Sequence, residues 1–161
     1  MIHPAAALET GGTAMDEVTR KVIDRILDEL RNTASSDLAA LAWKDEEGRR
    51  IRWIAASGNR NERFRRMALK PGKGITGEVL RAGRMVVIAQ AAGDTESTAC
   101  DHPIMLAEQL QSAVAIPVLI DHKAYGVLLL GNRSSPLDAD ALLSAAGSVT
   151  EQLSRLFKPA G

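Results

Sequence analysis

Two β-forming runs, Ser112 to Ile120 (SAVAIPVLI) and Tyr125 to Leu130 (YGVLLL), are separated by the tight connection at Asp121-His122-Lys123. Parallel neighbours need a crossover of a dozen or more residues, so a link this short makes a hairpin. An antiparallel sheet is therefore the frame that the rest of the chain must fit. A second pair precedes it. Asp37 to Trp43 (DLAALAW) is short and apolar, and the strand Arg50 to Ile54 follows the turn residues Asp45-Glu46-Glu47-Gly48. Strict alternation puts Ile51, Trp53 and Ala55 on one face of that strand, and Arg50 and Arg52 on the other. Arg84 to Ala89 (RMVVIA) is a further strand.

Helices bracket these strands. Thr13 with Asp16 three residues on is a helix-start signature, and Val18, Val22, Ile23, Ile26, Leu27 and Leu30 then make one apolar stripe. The spacing predicts a helix from Met15 to about Thr33. Ser135-Pro136-Leu137-Asp138 starts a second long helix, carrying Leu142, Leu143, Ala146, Val149, Leu153 and Leu156. Two short helices lie between: Ile75 to Ala82, stopped by Gly83, and one opened by His102-Pro103 that runs through Gln109. Hairpins with helices at both ends predict an α+β sandwich around an antiparallel sheet. A terminal stripe wider than the sheet can cover would suit a partner helix or a second copy of the chain.

At 161 residues the chain fits one domain, expected over residues 13–158, with residues 1–12 as a mobile N-terminal arm. Twenty basic residues balance twenty acidic ones, which removes the long-range field of nucleic-acid and membrane-surface binders. No segment is long and apolar enough to span a bilayer, and MIHPAAALETGG lacks the pattern of a signal peptide. A cytoplasmic protein is expected, without nucleic-acid or membrane partners. Its single cysteine excludes a disulfide framework and a two-cysteine redox cycle within the chain. Aromatic residues are 3% of the total, so planar ligands would find few stacking surfaces.

Catalytic patterns are missing. His3, His102 and His122 are far apart, and no pair has metal-ligand spacing. There is no Walker phosphate loop, dinucleotide fingerprint or nucleophile elbow. Arg60, Arg63, Arg65 and Arg66 are interrupted by acids and neutral residues, as on a solvated helix face. Cys100-Asp101-His102 leaves a redox or chromophore role for Cys100 as a rival reading.

The informative stretch is Leu69-Lys70-Pro71-Gly72-Lys73-Gly74-Ile75-Thr76-Gly77, a glycine-rich turn feeding a helix. The first N–H groups of a helix lack internal partners, and the macrodipole makes that end electropositive. It is either a ready anion site or a plain helix cap. A second helix start presents Ile104 and Met105 behind Pro103. Trp53 shares a strand face with Ile51 and should point toward the helices, and its indole N–H can only donate. These donors would suit a small, weakly hydrated anion in an apolar pocket; ordinary core packing of Trp53 is the competing reading.

These stretches, with Arg84-Met85-Val86-Val87-Ile88, Ser112 to Val118 and Tyr125 to Gly131, resemble the GAF domain family over about residues 15–157. The resemblance implies a six-stranded antiparallel sheet with terminal helices on one side and a ligand pocket with short helices on the other. Asn132-Arg133-Ser134-Ser135 departs from the signature of cyclic-nucleotide members, and one cysteine is too few for the methionine sulfoxide reductases of this fold. Ser57 to Phe64 and Pro103 to Glu108 resemble the family's stand-alone nitrate receptors. That likeness implies a non-enzymatic nitrate sensor, needing no cofactor, that adjusts a sensor histidine kinase of a two-component system in nitrate respiration. Its nitrate-binding residues would be Trp53, Ile75, Thr76 and Ile104 or Met105, with Leu69 lining the pocket. A GAF sensor of another ligand and a ligandless interaction module remain as alternatives.

Overall fold

The computed structural model describes residues 17–44, 50–67, 74–89, 103–134 and 139–157. The expected arm at 1–12, the helix-start signals at Thr13 and Ser135, Leu69, Cys100 and His102 lie outside them. Helix α1 spans Glu17–Ala34. Strands β1 (Leu38–Lys44) and β2 (Ile51–Ser57) follow, then a 3-10 turn at Arg63–Arg66. Next come α2 (Gly74–Ala82), β3 (Val86–Ala89) and α3 (Pro103–Ala107). Strands β4 (Ser112–Ile120) and β5 (Lys123–Asn132) and helix α4 (Ala139–Phe157) complete the described chain.

The sheet order is β2-β1-β5-β4-β3, with every neighbouring pair antiparallel. The β4–β5 hairpin is at its heart, and its turn residues Asp121 and His122 have φ of 52° and 69°. Both in the left-handed region is the turn geometry that matches strand twist. Five strands are present among the described residues, against the six that the resemblance implies.

Two buried clusters lie on opposite faces of the sheet. On one, Ile23, Leu27 and Leu30 of α1 and Leu142, Ala146 and Leu153 of α4 cover Leu41, Trp43, Val114, Leu128 and Leu130. On the other, Phe64, Val79, Ile104 and Met105 cover Ala40, Ala42, Trp53, Ala113, Ala115 and Leu129. Both faces being covered explains why β1, β4 and β5 read as nearly continuous apolar runs. Side-chain size differs between the faces. Beneath the short helices four alanines of β1 and β4 make a low floor, whereas larger side chains from the same strands fill the terminal-helix side.

Two expectations are corrected. Ala55 does not share a face with Ile51 and Trp53. Leu41 pairs with Ala55 but Ala42 pairs with Trp53, so Ile54 is an extra residue on β2. This β-bulge shifts the alternation by one. Ala55 joins the terminal-helix cluster, while Ile51 and Trp53 stay with the short helices. The basic stretch is a single 3-10 turn rather than a helix face. Arg63, Arg65 and Arg66 are solvated as expected, and Phe64 anchors the turn in the core.

Candidate functional site

Trp53 is 3% exposed, and its indole Nε1 has no hydrogen-bond partner among the described residues. A buried donor left without an acceptor costs about 1–3 kcal/mol, so natural cores rarely keep one without a reason. The bulge at Ile54 holds Trp53 on the short-helix face, in one cluster with Val79 of α2 and with Ile104 and Met105 of α3. Three of the residues expected to bind the anion, Trp53, Ile104 and Met105, are therefore brought together.

Thr76 and Ile75 stand in the first turn of α2. Gly74 opens that helix with φ of 69°, a conformation glycine adopts at no steric cost. Thr76 is 2% exposed, and Val79, one turn along, belongs to the Trp53 cluster. The N–H groups of Ile75 and Thr76 are among the four that α2 cannot satisfy internally. At its other end Gly83 has φ of 68° and donates its N–H to the Val79 carbonyl at 2.8 Å, a left-handed helix stop.

Sequence reasoning missed a charged pair beside this cluster. Glu108 follows α3, and its side chain is 1% exposed. Its Oε1 accepts hydrogen bonds from the Arg133 guanidinium at 2.7 Å and from the Arg60 backbone N–H at 2.7 Å. Arg133 also donates to the carbonyls of Glu108 at 2.9 Å and Gly58 at 3.0 Å. Asn61 adds a bond from its amide to the Ala107 carbonyl at 3.1 Å. The available signal was an acid closing the otherwise apolar run PIMLA; nothing in the spacing ties it to an arginine just past β5.

The GAF domain family model matches residues 14–157. The chain belongs to the GAF domain family. Its GAF fold is similar to that of NreA from Staphylococcus aureus mutated in its nitrate-binding site. In one such structure the identity is 33%, with a TM-score of 0.70, covering 75% of this chain and 91% of that one. In a second the identity is 32%, with a TM-score of 0.66, covering 80% and 98%. The free methionine-R-sulfoxide reductase of Neisseria meningitidis, bound to its substrate, shares the fold at 15% identity and a TM-score of 0.68, covering 86% and 77%. No protein of curated function matches the chain significantly. Among the described residues no group of His, Cys, Asp or Glu could hold a metal, and no helix is long and apolar enough to cross a membrane.

Proposed function

We propose that this GAF domain is a receptor for a small monoanion, nitrate foremost, and that it reports occupancy to a sensor histidine kinase by direct contact. One observation carries the ligand reading: Trp53 holds a buried N–H without a partner among the described residues, in the cluster that also contains α3 residues Ile104 and Met105. An anion accepting from that indole and from the backbone N–H groups of Ile75, Thr76 and Ile104 or Met105 would satisfy it. These donors are neutral, and the apolar surroundings strengthen a charge-assisted hydrogen bond. The likeness to NreA, a protein with a nitrate-binding site, supports the same ligand. The kinase is the partner that the receptor reading implies; the terminal helices, which carry half-exposed Val22 and Leu156, are the surface proposed for it or for a second copy.

Calorimetry with sodium nitrate in chloride-free buffer tests the ligand. Saturable binding by the wild-type protein is expected, and its absence would overturn the reading. The partner is tested by reconstituting the protein with the sensor kinase encoded nearest to it. A nitrate-dependent change in autophosphorylation is expected; an unchanged rate with nitrate bound would remove the kinase from the proposal.

A further inference from the structure

The Glu108–Arg133 pair has no part in the donor set just described, yet it ties the short-helix side of the sheet to the terminal-helix side. The Glu108 N–H donates to the Ile104 carbonyl at 3.0 Å, so Glu108 is fixed to a residue of the candidate anion site. Through its carboxylate it holds the Arg60 N–H and Arg133, and Arg133 holds the Gly58 carbonyl. Gly58 lies close to the Asp37 backbone and the Arg31 side chain: a Cβ there would lie 2.2 Å from the Asp37 carbonyl oxygen and 2.8 Å from Cδ of Arg31. The neighbouring Ser57 hydroxyl accepts from Arg31 Nε at 3.0 Å and donates to Asp28, both on α1. Arg133 closes the circuit, its N–H donating to Asp37 Oδ2 at 2.8 Å just beyond α1. Each step is a hydrogen bond or the covalent link from Gly58 to Ser57, whose hydroxyl bonds α1.

We infer that Glu108 and Arg133 are positioning residues that couple α3 to the C-terminal turn of α1, so that a ligand engaging α3 is felt on the opposite side of the sheet. The inference rests on the anion-receptor reading for its ligand, and on the bond network alone for the coupling. Arginine suits the post because its planar fork reaches three oxygens at once, Glu108 O, Glu108 Oε1 and Gly58 O. A lysine would keep the charge opposite Glu108 and lose that fork.

Amide hydrogen exchange on the full chain, with and without saturating sodium nitrate, tests this in wild type, Arg133→Lys and Glu108→Gln. Without nitrate, Arg133→Lys should speed exchange at residues 58–61, 104–110 and 31–34 together, by about fivefold or more, a usual size for site-to-site coupling. Amides in the middle of α4 should be unmoved. Glu108→Gln keeps an acceptor toward Arg60 and should lie between wild type and Arg133→Lys. With nitrate, wild type should gain protection at 104–110 and at 31–34, whereas Arg133→Lys should gain it at 104–110 alone. Exchange that rises equally in α4, or that rises at 104–110 without 31–34, would overturn the coupling. Failure of wild type to respond to nitrate would remove the anion reading, leaving the ligand-free comparison to judge the coupling.

Discussion

At Trp53 the donor can be removed while most of the ring's packing is kept. Trp53→Phe leaves an aromatic side chain in the cluster and deletes the N–H. A hydrogen bond to a charged group is worth about 1.5–3 kcal/mol, so nitrate affinity should fall roughly tenfold or more. Stability without nitrate should change little, because the lost packing is offset by removal of a buried donor that has no partner among the described residues. Thermal unfolding with and without nitrate measures both: the nitrate-dependent rise in Tm should shrink sharply while the ligand-free Tm stays near that of wild type. Unaltered nitrate binding in a folded variant would take Trp53 out of the site. Thr76 permits a second separation. Proline is tolerated in the first turn of a helix but has no N–H, whereas alanine keeps the N–H and loses the hydroxyl. Thr76→Pro should weaken nitrate binding more than Thr76→Ala does; equal losses, with folding verified, would argue against donation by the backbone.

Elements were legible in the sequence wherever a period or a stop signal specified them. The apolar stripes gave both long helices, Gly83 gave the end of α2, and the short link at Asp121 gave the central hairpin. The bulge in β2 was not legible, because an extra residue leaves Ile51, Trp53 and Ala55 alternating along the chain while the pairing with β1 slips at Leu41 and Ala42. The Glu108–Arg133 contact joins residues 25 apart and left no periodic trace. The junction after β2 shows what such contacts demand. Gly58 has φ of 81° and no room for a side chain, so Gly58→Ala combines strain with a clash against the Asp37 carbonyl. A left-handed non-glycine residue alone costs about 1–3 kcal/mol, and the denaturation midpoint should fall by at least that equivalent. On α1, burial pushes the Asp24 carboxyl above its usual range; Asp28 adds to the rise, and Arg20 and Arg65 oppose it. A raised carboxylate pKa favours the folded state only when protonated, so ionised Asp24 detracts from stability at neutral pH. Asp24→Asn should therefore stabilise the protein at pH 7, by less than about 0.5 kcal/mol after solvent screening. That gain should fade as pH falls through the raised folded value and vanish below the ordinary carboxylate range. Urea melts across that range check the sign, and a gain that grows on acidification would contradict it.

For the molecule as a whole, the division of labour between the two faces of the sheet follows from side-chain size and from which helices cover each face. A groove of about 160 Å³ between α1 and α4, lined by Ile26, Leu30, Thr33, Ala145 and Val149 among others, shows that the terminal helices meet without sealing their shared surface. The proposed anion site has the opposite character, with buried donors and a low alanine floor. That character limits both affinity and choice of ligand. Nitrate has four heavy atoms, and the best tiny ligands gain about 1.5 kcal/mol per atom, a ceiling of about 6 kcal/mol. The dissociation constant can then be no lower than tens of micromolar, roughly, which suits the sensing of an abundant anion and not the scavenging of a scarce one. The chain's formal net charge of zero provides no long-range attraction, so selectivity must come from the site itself. Neutral donors in an apolar setting favour an anion that gives up its hydration easily. Sulfate and phosphate carry more charge, and removing them from water costs far more than the same donors can return. Titrations in chloride-free buffer should place nitrate in the micromolar to millimolar range, with sulfate and phosphate much weaker. Added chloride should act as a weak competitor, identified by a shift in the apparent nitrate constant at unchanged stoichiometry. Tight phosphate or nucleotide binding with no response to nitrate would contradict a pocket of neutral donors and assign this GAF domain another ligand.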